Sequence, residues 1–144
     1  MNGVFLVHLG ATLAMAGVIW TVQLVHYPLF SGVGADGFVA YEAAHAQRIT
    51  WLVLPLMAAE LATAVWLVAE RPAALPAWSA WAGLGLVGVI WASTAFLQVP
   101  LDRALAAGFD AVAHERLVAT NAVRTAAWTL RAGLVLWWTA RLAA

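Results

Sequence analysis

The chain has 144 residues, of which 65% are apolar and 10% charged, against about 25% charged in ordinary soluble domains. So few charges do not cover so apolar a surface in water, whereas lipid solvates it directly. Net charge is zero, with no Lys and no basic run, which excludes nucleic acid as a partner; the absence of Cys excludes disulfides, thiolate metal sites and iron–sulfur clusters.

Four segments reach the roughly 20 apolar residues that cross a bilayer. The first runs from about Gly3 to His26, without a formal charge. It lacks a basic n-region, is too long for an h-region and has no cleavage pattern before Pro28, so it reads as a retained helix and not a signal peptide. The second runs from about Arg48 to Ala69, interrupted by Glu60; the third from about Leu75 to Val99; the fourth from about Leu117 to Leu142, carrying Arg124 and Arg131. Three connections separate them: Ser31–Gly37, Glu70–Pro76 and Leu101–Glu115. Trp51, Trp78, Trp137 and Trp138 fall near helix ends, where aromatic belts form.

The expected fold is therefore all-α, an integral membrane four-helix bundle forming a single transmembrane domain over residues 1–144. Four spans put both termini on one side, X, and the first and third connections on the other, Y. Arg48, Arg103 and Arg116 lie near Y, and Arg71 and Arg141 near X. The positive-inside rule then places Y in the cytoplasm of a bacterial inner membrane.

Gly17-Val18-Ile19-Trp20 recurs as Gly88-Val89-Ile90-Trp91, Pro28-Leu29 as Pro100-Leu101, Gly37-Phe38 as Gly108-Phe109, and Ala44-His45 as Ala113-His114. The offsets of 71, 72, 71 and 69 residues predict two tandem hairpins, about 1–71 and 72–144, related as parallel repeats. Their polar groups differ: His26 matches Gln98, and Phe30 matches Asp102. A site between the halves would be asymmetric.

Each span carries its polar residues on one stripe, which a bundle turns inward. Glu60 lies 12 residues past Arg48 and Arg131 14 past Leu117, so the rise of about 1.5 Å per residue puts them at similar depth. A buried ion pair is expected there, with Thr12 or Thr63 nearby; it reads as structural, with a proton or substrate relay as the sharper alternative. Three of the four histidines gather at Y: His26, His45 and His114, together with Glu42, Gln98, Asp102, Asn121 and Arg124.

Three chemistries suit that cluster. His26, Glu42 and His45 form a two-histidine, one-carboxylate set for a mononuclear metal, iron or zinc; the bland alternative pairs Glu42 with Arg48 or Arg124. His26 and His45 could instead be axial ligands of haem b, with His8 a candidate for a separate haem. In a metal-free pocket, Gln98, Asp102, Asn121 and Arg124 would orient a substrate, His26 or His45 would act as general base, and Trp91 and Trp128 would supply flat walls unless they are simple packing.

Pro100-Leu101-Asp102 and Asn121-Ala122-Val123-Arg124-Thr125 resemble the anthrone-oxygenase-like group of small four-helix membrane proteins, which carry Pro-x-Asn at the end of helix 3 and Asn-x-x-Arg-Thr in helix 4. Characterised members oxygenate polycyclic phenolic substrates. The resemblance covers Pro100, Asn121, Arg124 and Thr125, and Asp102 stands where the group has Asn. The stretch from His8 to Trp20 is more distantly similar to the first helix of small haem-binding membrane proteins of the protoporphyrinogen-oxidase and copper-resistance type. The expectation is an oxidoreductase or oxygenase-like protein acting on an apolar aromatic or lipid-soluble substrate. His26, His45 and Arg124 would be catalytic, and the lipid bilayer, an apolar small molecule and a homo-oligomer or membrane complex would be its partners. A non-enzymatic subunit or assembly factor and a small transporter or proton channel are the alternatives.

Overall fold

The computed structural model describes residues 3–144 and is all-helical. Helix α1 (Gly3–Thr21) continues through a π turn (Val22–His26) into a 3-10 turn (Pro28–Gly32). Then come α2 (Ala35–Ala69), α3 (Ala77–Ser93), a second π turn (Thr94–Gln98), α4 (Val99–Leu105) and α5 (Ala111–Ala143). Three stretches, Gly3–Gly32, Ala35–Ala69 and Ala77–Leu105, are long and apolar enough to cross a membrane. Helix α5 is as long but more polar, because its buried side holds Asn121, Arg124 and Arg131.

The helices extend further at the Y end than the charge pattern predicts. Helix α2 starts at Ala35 and not near Arg48, since Ala40, Ala43, Ala44 and Ala46 favour helix and Phe38 gives that extension a buried anchor. The expected connection Leu101–Glu115 shrinks to 106–110. There Gly108 takes φ 148°, a conformation that favours glycine, and Asp110 caps α5 by accepting from the Ala113 amide at 2.7 Å.

Pro28 and Pro100 lack the amide that would continue an α-helix, and each follows a five-residue π turn that absorbs the misfit. The π turns begin at Val22 and Thr94, 72 residues apart, as the two prolines are. Each ends on a polar side chain of the Y cluster, His26 in one case and Gln98 in the other.

Helix α1 packs against α2 and α5, and α3 packs against the same two. The core between them has two parts. Met15, Ile19, Tyr27, Phe30, Phe38, Met57, Leu117 and Trp128 fill the Y half, and Phe5, Leu67, Leu75, Val135 and Trp138 the X half. Large apolar side chains also point outward: Trp51 and Phe96 are each 78% exposed, and Leu24, Trp81 and Leu130 are exposed too. In water that surface would be an aggregation hazard, whereas in lipid it is solvated.

Gly83 marks the tightest approach of α3 to α5. A methyl group there would lie 3.2 Å from the Trp138 ring and 3.3 Å from Leu134. Trp138 has no room to yield, because it is 1% exposed, donates to Ser79 Oγ at 3.0 Å and stacks on His8. Gly83→Ala is therefore expected to lower stability by about 1–3 kcal/mol, measured by reversible unfolding in detergent. An unchanged midpoint would mean that this contact is looser than described.

Candidate functional site

Two polar networks lie inside the helices, and they differ in how completely they are satisfied. The deeper one centres on Glu60 of α2 and Arg131 of α5, joined at 3.1 Å with both side chains buried. The second Glu60 oxygen accepts from the Trp128 indole at 2.7 Å. Arg131 also donates to the Gly83 carbonyl at 2.5 Å and to Thr12 at 3.3 Å. His8 bridges to Thr63 at 2.7 Å and faces Arg131 at 3.4 Å.

The tautomer of His8 follows from its neighbours. Thr63 donates its own proton to the Ala59 carbonyl at 2.6 Å, so it accepts from His8 Nδ1, and Nε2 is the acceptor facing Arg131. Both ring nitrogens are engaged and the ring is 1% exposed, which leaves no free position for haem iron at His8. With every group paired, this network ties α1, α2, α3 and α5 together and offers nothing to a ligand.

The Y network is built on Arg124. Its Nε and Nη2 donate to Asn121 Oδ1 at 2.9 and 2.6 Å, Nη2 also reaches the Tyr27 hydroxyl at 3.3 Å, and Nη1 reaches Thr94 at 3.4 Å. Asn121 is held in turn by Gln23 at 2.8 Å, and Gln23 also accepts from Thr125. Arg124 is 8% exposed, yet no carboxylate lies within 4.0 Å of it; Glu60–Arg131 is the one ion pair among the described residues. Asp102 is within electrostatic reach of Arg124 without touching it. Two buried oxygens, Glu42 Oε2 and Asp102 Oδ1, meet no donor among the described residues.

Beside Arg124 lies an inner cavity of about 150 Å³, partly open past Ala46 and Thr50 of α2. Tyr27, His45, Thr94, Asp102 and Arg124 form its polar wall, and Met15, Ile19, Met57 and Trp128 its apolar one. On the outside, α1 and α2 part to leave a groove of about 740 Å³, lined by Leu13, Val18, Val25, Ile49 and Leu52 and ending at His26, Tyr41 and Arg48. His45 lines both spaces. Its Nδ1 is 2.6 Å from His26 Nε2, so one ring donates to the other, and His26 Nδ1 and His45 Nε2 remain unbonded among the described residues.

The structure redistributes the expected site residues. His45, Asp102, Arg124 and Trp128 do meet at the inner cavity. Asn121 stands behind it, bracing Arg124. Gln98 bridges Ser93 and Thr120 between the helices, and Trp91 packs against the core away from both spaces. His114 donates to the Tyr27 carbonyl at 2.8 Å, a structural tie between α5 and the first π turn.

The metal set is not assembled. Among the described residues no three His, Asp or Glu side chains converge on one point. The two imidazoles bond each other, and Glu42 is buried with a carboxylate oxygen unpartnered among the described residues. Nor are His26 and His45 placed as a pair of axial ligands to one haem, because their rings are in contact, with centroids 4.4 Å apart.

Gln23 and Thr94 lie on the polar stripes that helical spacing picks out, and both join the Arg124 network. Tyr27 is the neighbour that spacing does not single out; it follows the first π turn, and its hydroxyl accepts from Arg124.

No protein-family model, no curated protein and no solved structure matches the chain.

Proposed function

We propose that the chain is an integral membrane protein of four spans, arranged as two tandem hairpins, that takes a lipid-soluble aromatic substrate from the bilayer and performs proton-transfer chemistry on it. The observation that carries this reading is the position of His45 between the lipid-facing groove and the inner cavity. The fourth span is α5, whose polar groups are turned inward, and the repeated π turn before Pro28 and Pro100 supports the duplication.

The substrate body lies in the groove between α1 and α2, and its oxygen-bearing end passes His45 into the inner cavity. His45 Nε2 takes a proton from an acidic C–H or O–H group while its Nδ1 proton moves to His26 Nε2. Arg124 and the Tyr27 hydroxyl stabilise the oxygen anion that forms. Arg124 is already held by Asn121, so it does not have to reorganise to do so. The resemblance to anthrone oxygenases supports an oxidoreductase in which that anion reacts with dioxygen, one O2 being consumed and one water released as an anthrone CH2 becomes a carbonyl. No step in this scheme passes through a metal or haem.

The test is oxygen uptake and anthraquinone absorbance in proteoliposomes supplied with an anthrone. The expected result is protein-dependent turnover that falls about 100-fold or more in His45→Ala, with the unfolding midpoint retained. Uptake equal to that of empty liposomes, or unaffected by His45→Ala, overturns the reading.

A further inference from the structure

The inner cavity carries a mismatch that the proton-transfer scheme does not use. One wall presents donors. Arg124 Nη1 has only a long contact to Thr94, at 3.4 Å. Arginine can only donate, so the Tyr27 oxygen accepts from Arg124 at 3.3 Å, and the hydroxyl proton has no acceptor among the described residues. Another wall presents an acceptor, because Asp102 lines the same cavity and its carboxylate forms no hydrogen bond or ion pair among the described residues. A buried polar atom left without a partner costs on the order of 1–3 kcal/mol, and more when it carries charge.

Direct pairing would be the simplest remedy, yet Arg124 and Asp102 do not approach within 4.0 Å. Arg124 is drawn back by its two bonds to Asn121, and Asn121 is anchored by Gln23. Asp102 sits on α4, beyond the π turn and Pro100, where the helix starts anew. Donors and acceptor are therefore held apart across a gap by separate elements. A group that bridges them must accept at one end and donate at the other.

We infer that the inner cavity is a two-point head-group site: it takes an apolar molecule whose end carries a carbonyl next to an N–H or O–H donor, with the carbonyl on Arg124 and Tyr27 and the donor on the Asp102 carboxylate. The class comprises aryl carboxamides and hydroxy-carbonyl aromatics. Hydrocarbons, esters and unsubstituted quinones lack the donor and leave Asp102 unsatisfied. The cavity volume of about 150 Å³ admits the polar end and part of one ring, and the remaining body occupies the groove outside His45. This inference rests on the proposed use of the groove and cavity as a ligand site and adds the chemistry of the ligand's end.

Equilibrium dialysis against phosphatidylcholine nanodiscs, with empty nanodiscs as the partition control, tests it using three bicyclic probes. These are 2-naphthamide, with donor and acceptor; methyl 2-naphthoate, with acceptor only; and 2-methylnaphthalene, with neither. The amide is expected to bind the native protein about tenfold or more tightly than the ester, since a hydrogen bond to a charged group is worth roughly 1.5–3 kcal/mol. In Asp102→Ala that preference falls below about threefold while the ester is bound as before. Asp102→Asn, which keeps an acceptor oxygen, is a second variant and retains part of the preference. Equal binding of amide and ester to the native protein overturns the two-point site while leaving the groove as a ligand site. An amide preference that persists in Asp102→Ala overturns it equally. If none of the three probes exceeds its partition into empty nanodiscs, the ligand-site reading falls and this inference with it.

Discussion

Replacing Glu60 with Leu is expected to cost about 3–5 kcal/mol of stability, because it strands Arg131 as an unpaired charge inside the protein. Arg131 is 1% exposed and loses its only carboxylate, while the Trp128 indole loses its acceptor at the same stroke. Arg131→Met should cost a similar amount by stranding Glu60. The double variant Glu60→Leu with Arg131→Met removes both charges and should recover most of the loss. A remainder of about 1–3 kcal/mol is expected from the unsatisfied Trp128 N–H. Reversible unfolding in mixed micelles with a denaturing detergent measures each step. If the double variant were as unstable as the sum of the singles, Glu60 and Arg131 would be acting independently and the pairing would be refuted.

Trp128→Ala is expected to be as damaging, at about 3–5 kcal/mol. Trp128 is a large side chain, 1% exposed, on the boundary between the two networks. Its ring forms one wall of the inner cavity and its N–H donates to Glu60 at 2.7 Å. Truncation removes packing and leaves one Glu60 oxygen unpaired. Trp128→Phe separates the two contributions: it keeps most of the ring and loses the hydrogen bond, so about 1.5–3 kcal/mol should disappear. Any ligand of the inner cavity should respond to the alanine variant more than to Phe, since the former enlarges the cavity far more. A Phe variant as unstable as the Ala variant would show that the hydrogen bond to Glu60 carries the whole effect.

These expectations explain why the two networks have different roles although both are buried and polar. The deep one has a donor for each carboxylate oxygen and an acceptor for each guanidinium nitrogen, so it holds the helices in one arrangement. The shallower one keeps Arg124 without an ion pair and Asp102 with an empty oxygen. Incomplete satisfaction next to a cavity is what a ligand can relieve.

Composition and periodicity alone determined the all-helical architecture, the apolar stretches long enough to cross a bilayer, and the inward polar stripes, because lipid imposes one rule on every residue of a span. Counting rise per residue brought Glu60 and Arg131 to the same depth, since depth along a straight helix is a one-dimensional quantity. The helix limits at the Y end were beyond that reach. Charges near Arg48 and around Leu101–Glu115 look like loop, yet Ala-rich helix and a buried Phe38 outweigh them. The surroundings of the expected metal ligands were out of reach for a related reason. The spacing of Glu42 and His45 puts them on one side of a helix, but only packing decides what each meets: His45 meets His26, and Glu42 Oε2 meets no donor among the described residues. Tyr27 and Asp102 each follow a π turn, and of the two only Tyr27 reaches Arg124. Whether a cluster of polar residues becomes a lock or an open site depends on angles and gaps of a few ångströms between helices, and those exist only in the tertiary structure.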